Sequence, residues 1–264
     1  MLPYAAMLLL LLACTEIESD DAPPTLESQS LKTIQRFYED DAAEQVATLI
    51  ELVNKEVTDE PHGFYFDALT PEDVDMFEHS DEAIWAHTTG CGVLAKMEGT
   101  VDQYAAVVPE ADQSFPDPSY AFWTREITAG TAEGFVDGEP LDTWNSIQKS
   151  GFAIDVAYDM DKDYRWYGDT LAMVSLVPEG HQPVGISDTE LVVGFTIELW
   201  YTLDEQLIWY NGSWTEIESP LDEDGVEIEW WLDQLIAGTL DYYWGTQEHA
   251  TGIVHVDGGD DTEG

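Results

Sequence analysis

From Leu31 to Val57 the apolar residues Leu31, Ile34, Tyr38, Ala42, Val46, Leu49, Val53 and Val57 recur three or four apart. That spacing predicts an amphipathic helix over 31–57, with Ser30 as its cap. Periodicity lapses over 58–90, apart from short helical patches at 71–77 and 81–87. Residues 91–97 read as a strand. Thr100 then caps a short helix through Val108 that Pro109 ends, and a Pro-rich loop follows over 109–119.

From Tyr120 the pattern changes to that of strands, expected at 120–128, 142–148, 152–160, 164–177 and 189–203. The last is the clearest. Leu191, Val193, Phe195, Ile197, Leu199, Tyr201 and Leu203 alternate with the mixed set Gly194, Thr196, Glu198, Trp200 and Thr202. Period-two alternation of this length predicts a strand with one face buried. Asp204-Glu205 is expected to turn the chain into a partner strand over 206–218, within which Asn211-Gly212 reads as a bulge or a tight turn. A helix over 226–247 comes last, with Ile228, Trp231, Leu232, Leu235, Thr239, Tyr242 and Tyr243 on one face and Asp233 and Asp241 off it. The tail 251–264 is expected to fray.

Strands followed by a covering helix imply an α+β domain over 30–250, with a curved antiparallel sheet packed on a long C-terminal helix. From 91 to 247 this element order resembles the helix-grip fold of START and polyketide-cyclase-like domains; the helix at 31–57 is additional to it. The resemblance implies an apolar cavity between sheet and last helix. A lipocalin-like barrel and a β-sandwich with flanking helices remain open as alternatives. Aromatic residues crowd the last third of the chain. Most of them are accounted for by core packing, but indole and phenol groups also suit a cavity for an amphipathic ligand. The candidate ligand-binding residues are Trp200, Trp209, Tyr210, Trp214, Trp231 and Tyr242.

The first thirteen residues form an uncharged apolar run, shorter than the about 20 residues a membrane-spanning helix needs and ending in Leu11-Leu12-Ala13-Cys14. These four residues resemble the lipobox of bacterial lipoproteins, although no Lys or Arg precedes the run. The resemblance implies a signal peptide over 1–13, a lipidated Cys14 and attachment to the cell envelope, at the outer membrane or cell surface rather than the inner membrane. Residues 14–29 then form an acidic, Pro-containing tether.

Charge narrows the function classes. The chain carries 55 acidic and 8 basic residues, a formal net charge of −47. No basic footprint for nucleic acid exists, and the surface is not expected to bind anionic lipid. Self-repulsion on this scale is relieved by salt, so the chain reads as salt-adapted.

Candidate chemistry is sparse. The carboxylate pairs Glu216/Glu218 and Glu227/Glu229 are what an acid-rich chain yields by chance. Asp159, Asp161 and Asp163 have the spacing of a calcium loop, but Tyr164 stands where a Gly is needed and Thr170 where a bidentate Glu is needed. The three aspartates therefore read as a hairpin turn and a weak calcium candidate. Asp222-Glu223-Asp224-Gly225 reads as a turn and helix cap. His79 and His87, with Glu82 between them, lack zinc-site pairing; His181, His249 and His255 are scattered. Cys91 reads as a buried free thiol, with nucleophilic chemistry as the sharper alternative. No cofactor motif is present and no constellation supports an enzyme. The sequence thus points to an envelope lipoprotein that binds a lipid or other apolar small molecule, or to a structural or protein-interaction lipoprotein without a cavity, of unknown protein partner.

Overall fold

The structure is a computed structural model and describes residues 23–67, 69, 88–117, 119–151, 154–177, 190–218 and 228–254. Its strands form one eight-stranded antiparallel sheet in the order β1-β2-β8-β7-β6-β5-β4-β3. They are β1 (His62–Tyr65), β2 (Thr89–Met97), β3 (Tyr120–Ala129), β4 (Leu141–Gly151), β5 (Ile154–Tyr167), β6 (Thr170–Leu176), β7 (Glu190–Leu203) and β8 (Gln206–Glu218). Helices α1 (Leu26–Gln35) and α2 (Ala42–Glu56) cover one face. The other face meets α3 (Val101–Val107), α4 (Ala132–Val136) and the long C-terminal α5 (Ile228–Thr251). The fold is α+β, an antiparallel sheet packed against a C-terminal helix.

The helix expected over 31–57 is two helices. Thr25, not Ser30, caps the first, in a reciprocal box with Ser28. Ser30 lies inside α1 and shares a 2.7 Å hydrogen bond with the Tyr210 hydroxyl of the sheet. The break falls at Glu39-Asp40-Asp41, three acids that disfavour the negative C-terminal end of α1 and suit the start of α2. Gln29 Nε2 donates to the Gln45 carbonyl at 3.0 Å and ties the two helices together. Tyr38, expected on the apolar stripe, is exposed in the break and donates to Asp163.

Most strands fall where period-two alternation put them. Thr100 caps α3 with Gln103, as its sequence predicts. Asp204 and Glu205 turn β7 into β8 with φ of 50° and 67°. Both central residues in the left-handed region define the turn whose twist matches a hairpin. Two strand expectations fail. Asn211-Gly212 is neither bulge nor turn: both residues pair in regular register with β7 on one side and β2 on the other. The 159–163 hairpin also does not form. Asp159, Asp161 and Asp163 lie within β5, whose turn into β6 comes at Gly168 and Asp169. Alternation explains it, because Tyr158, Met160, Lys162 and Tyr164 point to one face while the aspartates point to the other. A calcium loop is thereby removed, since the three carboxylates ride on an extended strand. The patches at 71–77 and 81–87, with His79, Glu82 and His87, lie outside the described residues. So do His181, Asp222-Glu223-Asp224-Gly225, Glu227, His255, Cys14 with its tether as far as residue 22, and the tail from 255.

From β2 through β8 and β7 to β6 the sheet is buried on both faces, and the sides are not equivalent; at β3 the outer face is exposed, at Phe122, Thr124 and Glu126. The apolar set of β7, Phe195, Ile197, Leu199 and Tyr201, packs on α1 and α2 with Leu31, Phe37, Val46, Leu49 and Val53. The mixed set faces α5. This three-layer arrangement explains why the cleanest hydrophobic stripe lies on the far side of the sheet from the C-terminal helix.

Candidate ligand cavity

A cavity of about 480 Å³ lies between the inner sheet face and α5. Ligand sites commonly span about 300–1,000 Å³. Its two sheet walls differ. Strands β3 to β5 supply Tyr120, Trp123, Ile147, Val156, Tyr158 and Met160. Strands β6 to β8 and β2 supply small polar groups, Ser175, Thr196, Asn211, Ser213, Thr215 and Cys91. Helix α5 roofs the space with Trp230, Gln234, Leu235, Gly238, Thr239 and Tyr242. At Gly238 the nearest atom a side chain would meet is Lys149 Nζ, at 3.6 Å, so the glycine leaves room under the roof.

Two ion pairs reach the cavity. Lys149 Nζ lies 3.0 Å from Asp117 Oδ2, and Ser119 donates to the same carboxylate through its backbone N–H and hydroxyl, each at 2.7 Å. Burial raises the Asp117 pKa, but the Ser119 and Lys149 hydrogen bonds outweigh it and hold the carboxyl below its ordinary value. The pair is thus internally satisfied. Deeper, Lys162 of β5 stands 3.8 Å from Glu198 Oε1 of β7, both almost wholly buried. The Lys162 ammonium lies 4.8 Å from the Trp123 ring centroid and 5.9 Å from that of Tyr242. Burial pulls Lys162 down to about 8, against the opposing effect of Glu198. Burial likewise raises Glu198, while Lys162, Trp209, Arg125 and Asn211 draw it back.

Behind this pair lies a smaller void of about 20 Å³, lined by Lys162, Glu198, Arg125, Tyr164, Trp200 and Tyr242 among others. Arg125 is buried, donating to Asn145 Oδ1 at 2.8 Å and to the Val108 carbonyl. One end of the roof is pinned by the 115–117 loop. The backbone of Pro116 approaches α5 so closely at Gly245 that a Cβ there would sit 1.8 Å from the Pro116 carbonyl oxygen.

Of the six aromatic residues expected to bind ligand, Tyr242 lines the main cavity. Trp200 borders the small void instead. Trp209 is fully buried, stacked on Tyr243, and donates to Glu198 Oε2 at 3.2 Å, so it braces the charged pair from behind. Tyr210 and Trp214 point to the opposite face. Tyr210 bonds to Ser30, and Trp214 is stacked between Phe66 and Phe195. The Trp231 side chain lies outside the described residues, as do those of Glu216, Glu218 and Glu229. Cys91 is a buried free thiol on the cavity wall, and burial pushes it up to about 12, so it stays protonated at neutral pH. Sequence reasoning missed Tyr120, Trp123, Tyr158, Lys162 and Glu198. A lysine and a glutamate at inward positions of long strands were the available signal.

No protein-family model matches the chain, and no curated protein sequence does. Solved structures with a related arrangement of sheet and helix include a STAR-related lipid transfer protein fragment from Xanthomonas axonopodis, at 10% identity and a TM-score of 0.45, covering 61% of this chain and 85% of that one. The human StarD13 lipid transfer and protein localization domain gives 10% identity and a TM-score of 0.40 over 78% of this chain and 95% of its own. The di-domain ARO/CYC StfQ of the steffimycin biosynthetic pathway gives 11% and 0.42 over 80% and 61%. The likeness concerns the layout of strands and helix.

Proposed function

We propose that this chain is an exported lipoprotein of the cell envelope, attached through lipid on Cys14, that holds an amphipathic small molecule between its sheet and its C-terminal helix. The cavity of about 480 Å³ carries this reading. A filled core would suit a purely structural or protein-interaction role. Here an aromatic wall faces a wall of hydroxyl and amide groups, and a charged pair lies at depth. Such a lining suits a ligand with an apolar body and one polar end. The Leu11-Leu12-Ala13-Cys14 stretch supports the anchoring half of the reading.

Native mass spectrometry of the exported chain carrying Cys14→Ser, purified at high salt, tests the ligand half. A reproducible extra mass that is lost on denaturation and proves apolar or amphipathic is expected. A clean apo mass from several expression hosts would count against it. Intact mass of the unmodified chain tests the anchor: the diacylglyceryl increment should be present and should vanish in the Cys14→Ser variant. The same lipid mass in both would refute lipidation at Cys14.

A further inference from the structure

The chain has eight basic residues against 55 acidic ones, yet three of the eight, Arg125, Lys149 and Lys162, gather on the cavity or directly behind it. Lys149 is matched by Asp117. The deeper set is not balanced. Lys162 and Glu198 form a unit whose net charge is zero whether the shared proton sits on the amine or on the carboxyl. Arg125 adds one positive charge, and its hydrogen-bond acceptors, the Asn145 amide oxygen, the Val108 carbonyl and the Tyr164 phenol, are uncharged. The phenols of Tyr164 and Tyr242 are pushed up by burial and stay neutral. Asp241, at the rim, is exposed. Among the described residues, the deep end of the cavity therefore carries a net single positive charge in a protein of formal charge −47.

An uncompensated buried charge is costly unless a counter-charge reaches it. Glu198 already accepts from Trp209 and Asn211 and faces Lys162. The Lys162 ammonium, with three donors, has Glu198 at 3.8 Å as its charged neighbour, and it opens on the main cavity.

We infer that the cavity selects an amphiphile with a single anionic head, of carboxylate or sulfonate type, seated on the Lys162 ammonium with its apolar body along Trp123, Tyr158 and Tyr242. This inference deepens the proposed function and rests on it. The neighbouring aromatic rings favour a flat or aliphatic body, and the one-charge deficit excludes a doubly charged head. A cationic ligand would meet the wrong sign at depth despite the acidic exterior.

The test uses the full chain carrying Cys14→Ser and two probes with the same aromatic body. One is 1-anilinonaphthalene-8-sulfonate; the other, N-phenyl-1-naphthylamine, lacks the sulfonate. Fluorescence titration to one equivalent, at high salt to screen the exterior, should show the anionic probe binding at least tenfold more tightly. Lys162→Met should cut that preference at least tenfold. Glu198→Gln should raise it severalfold, because it removes a negative charge while its amide oxygen still accepts from Trp209. The opposite sign of the second variant separates a charge effect from a loosened fold. Equal affinity for the two probes, or a preference that neither variant moves, would overturn the anionic head while leaving the cavity intact. Binding of neither probe would overturn the ligand-binding reading itself.

Discussion

Replacing Lys162 by Met should change how stability depends on pH, in a direction fixed by the burial of the ammonium. Lys162 is 5% exposed, and its pKa falls from 10.5 to about 8. Below the folded value both the native and the unfolded chain hold the proton, and this group adds no pH dependence. Between about 8 and 10.5 the unfolded chain binds the proton and the folded chain does not, so native stability rises with pH. The full depression corresponds to about 3 kcal/mol, of which about 2 kcal/mol should be realised by about pH 9.5. The buried tyrosines act the other way: their raised values stabilise the fold below the ordinary phenol range and lose that contribution only above it. They are common to both proteins and cancel in the difference. Urea denaturation at about 1 M salt, where surface charges are screened within about 3 Å, measures it. The wild-type chain should gain on Lys162→Met steadily from about pH 7.5 to 9.5. Parallel curves would mean that the ammonium is hydrated, and the picture of a dry, charged cavity floor would fall.

Three further expectations follow from the packing. Gly245→Ala should cost about 1–3 kcal/mol, because the Pro116 carbonyl must move off α5 to admit a methyl group; an unchanged thermal midpoint would show that the loop is not seated there. Leu49→Ala, at a fully buried position between α2 and the sheet, should cost about 2–5 kcal/mol by urea unfolding. A loss below about 1 kcal/mol would mean that the α1–α2 layer is not part of the cooperative core. Raising salt from about 0.1 to 1 M should raise the urea midpoint, since it shortens the screening length from about 10 to 3 Å around a chain of formal charge −47; a flat or falling midpoint would refute salt adaptation.

Local signals in the sequence marked much of the architecture. Alternation announced β7, Asp204-Glu205 its turn, and Thr100 the start of α3, each decided by residues a few positions apart. Face assignment was harder at β7 and β8, because strands covered on both sides have no solvent face to orient them. Trp209, Tyr210 and Trp214 are neighbours in sequence, yet alternation sends Trp209 inward and the other two outward. The cavity draws instead on Tyr120, Trp123, Tyr158 and Tyr242, which the fold gathers from three distant segments. The run from Tyr158 to Tyr164 held the site's best clue, a lysine in phase with aromatics and out of phase with aspartates. Acidic spacing made that run look like a loop.

The double covering of the sheet bears on how faithfully this chain folds. Sliding β8 by one residue would swap its two faces, burying Asn211 and Ser213 among the side chains of α1 and α2 and driving Trp214 into the space beneath α5. Either displacement alone would be penalised, and the slip incurs both at once. A protein with one solvated sheet face tolerates such an error more cheaply. In this chain the hydrophobic layer on the outside proofreads the polar wall on the inside, and the cavity wall inherits its accuracy from residues that do not line the cavity.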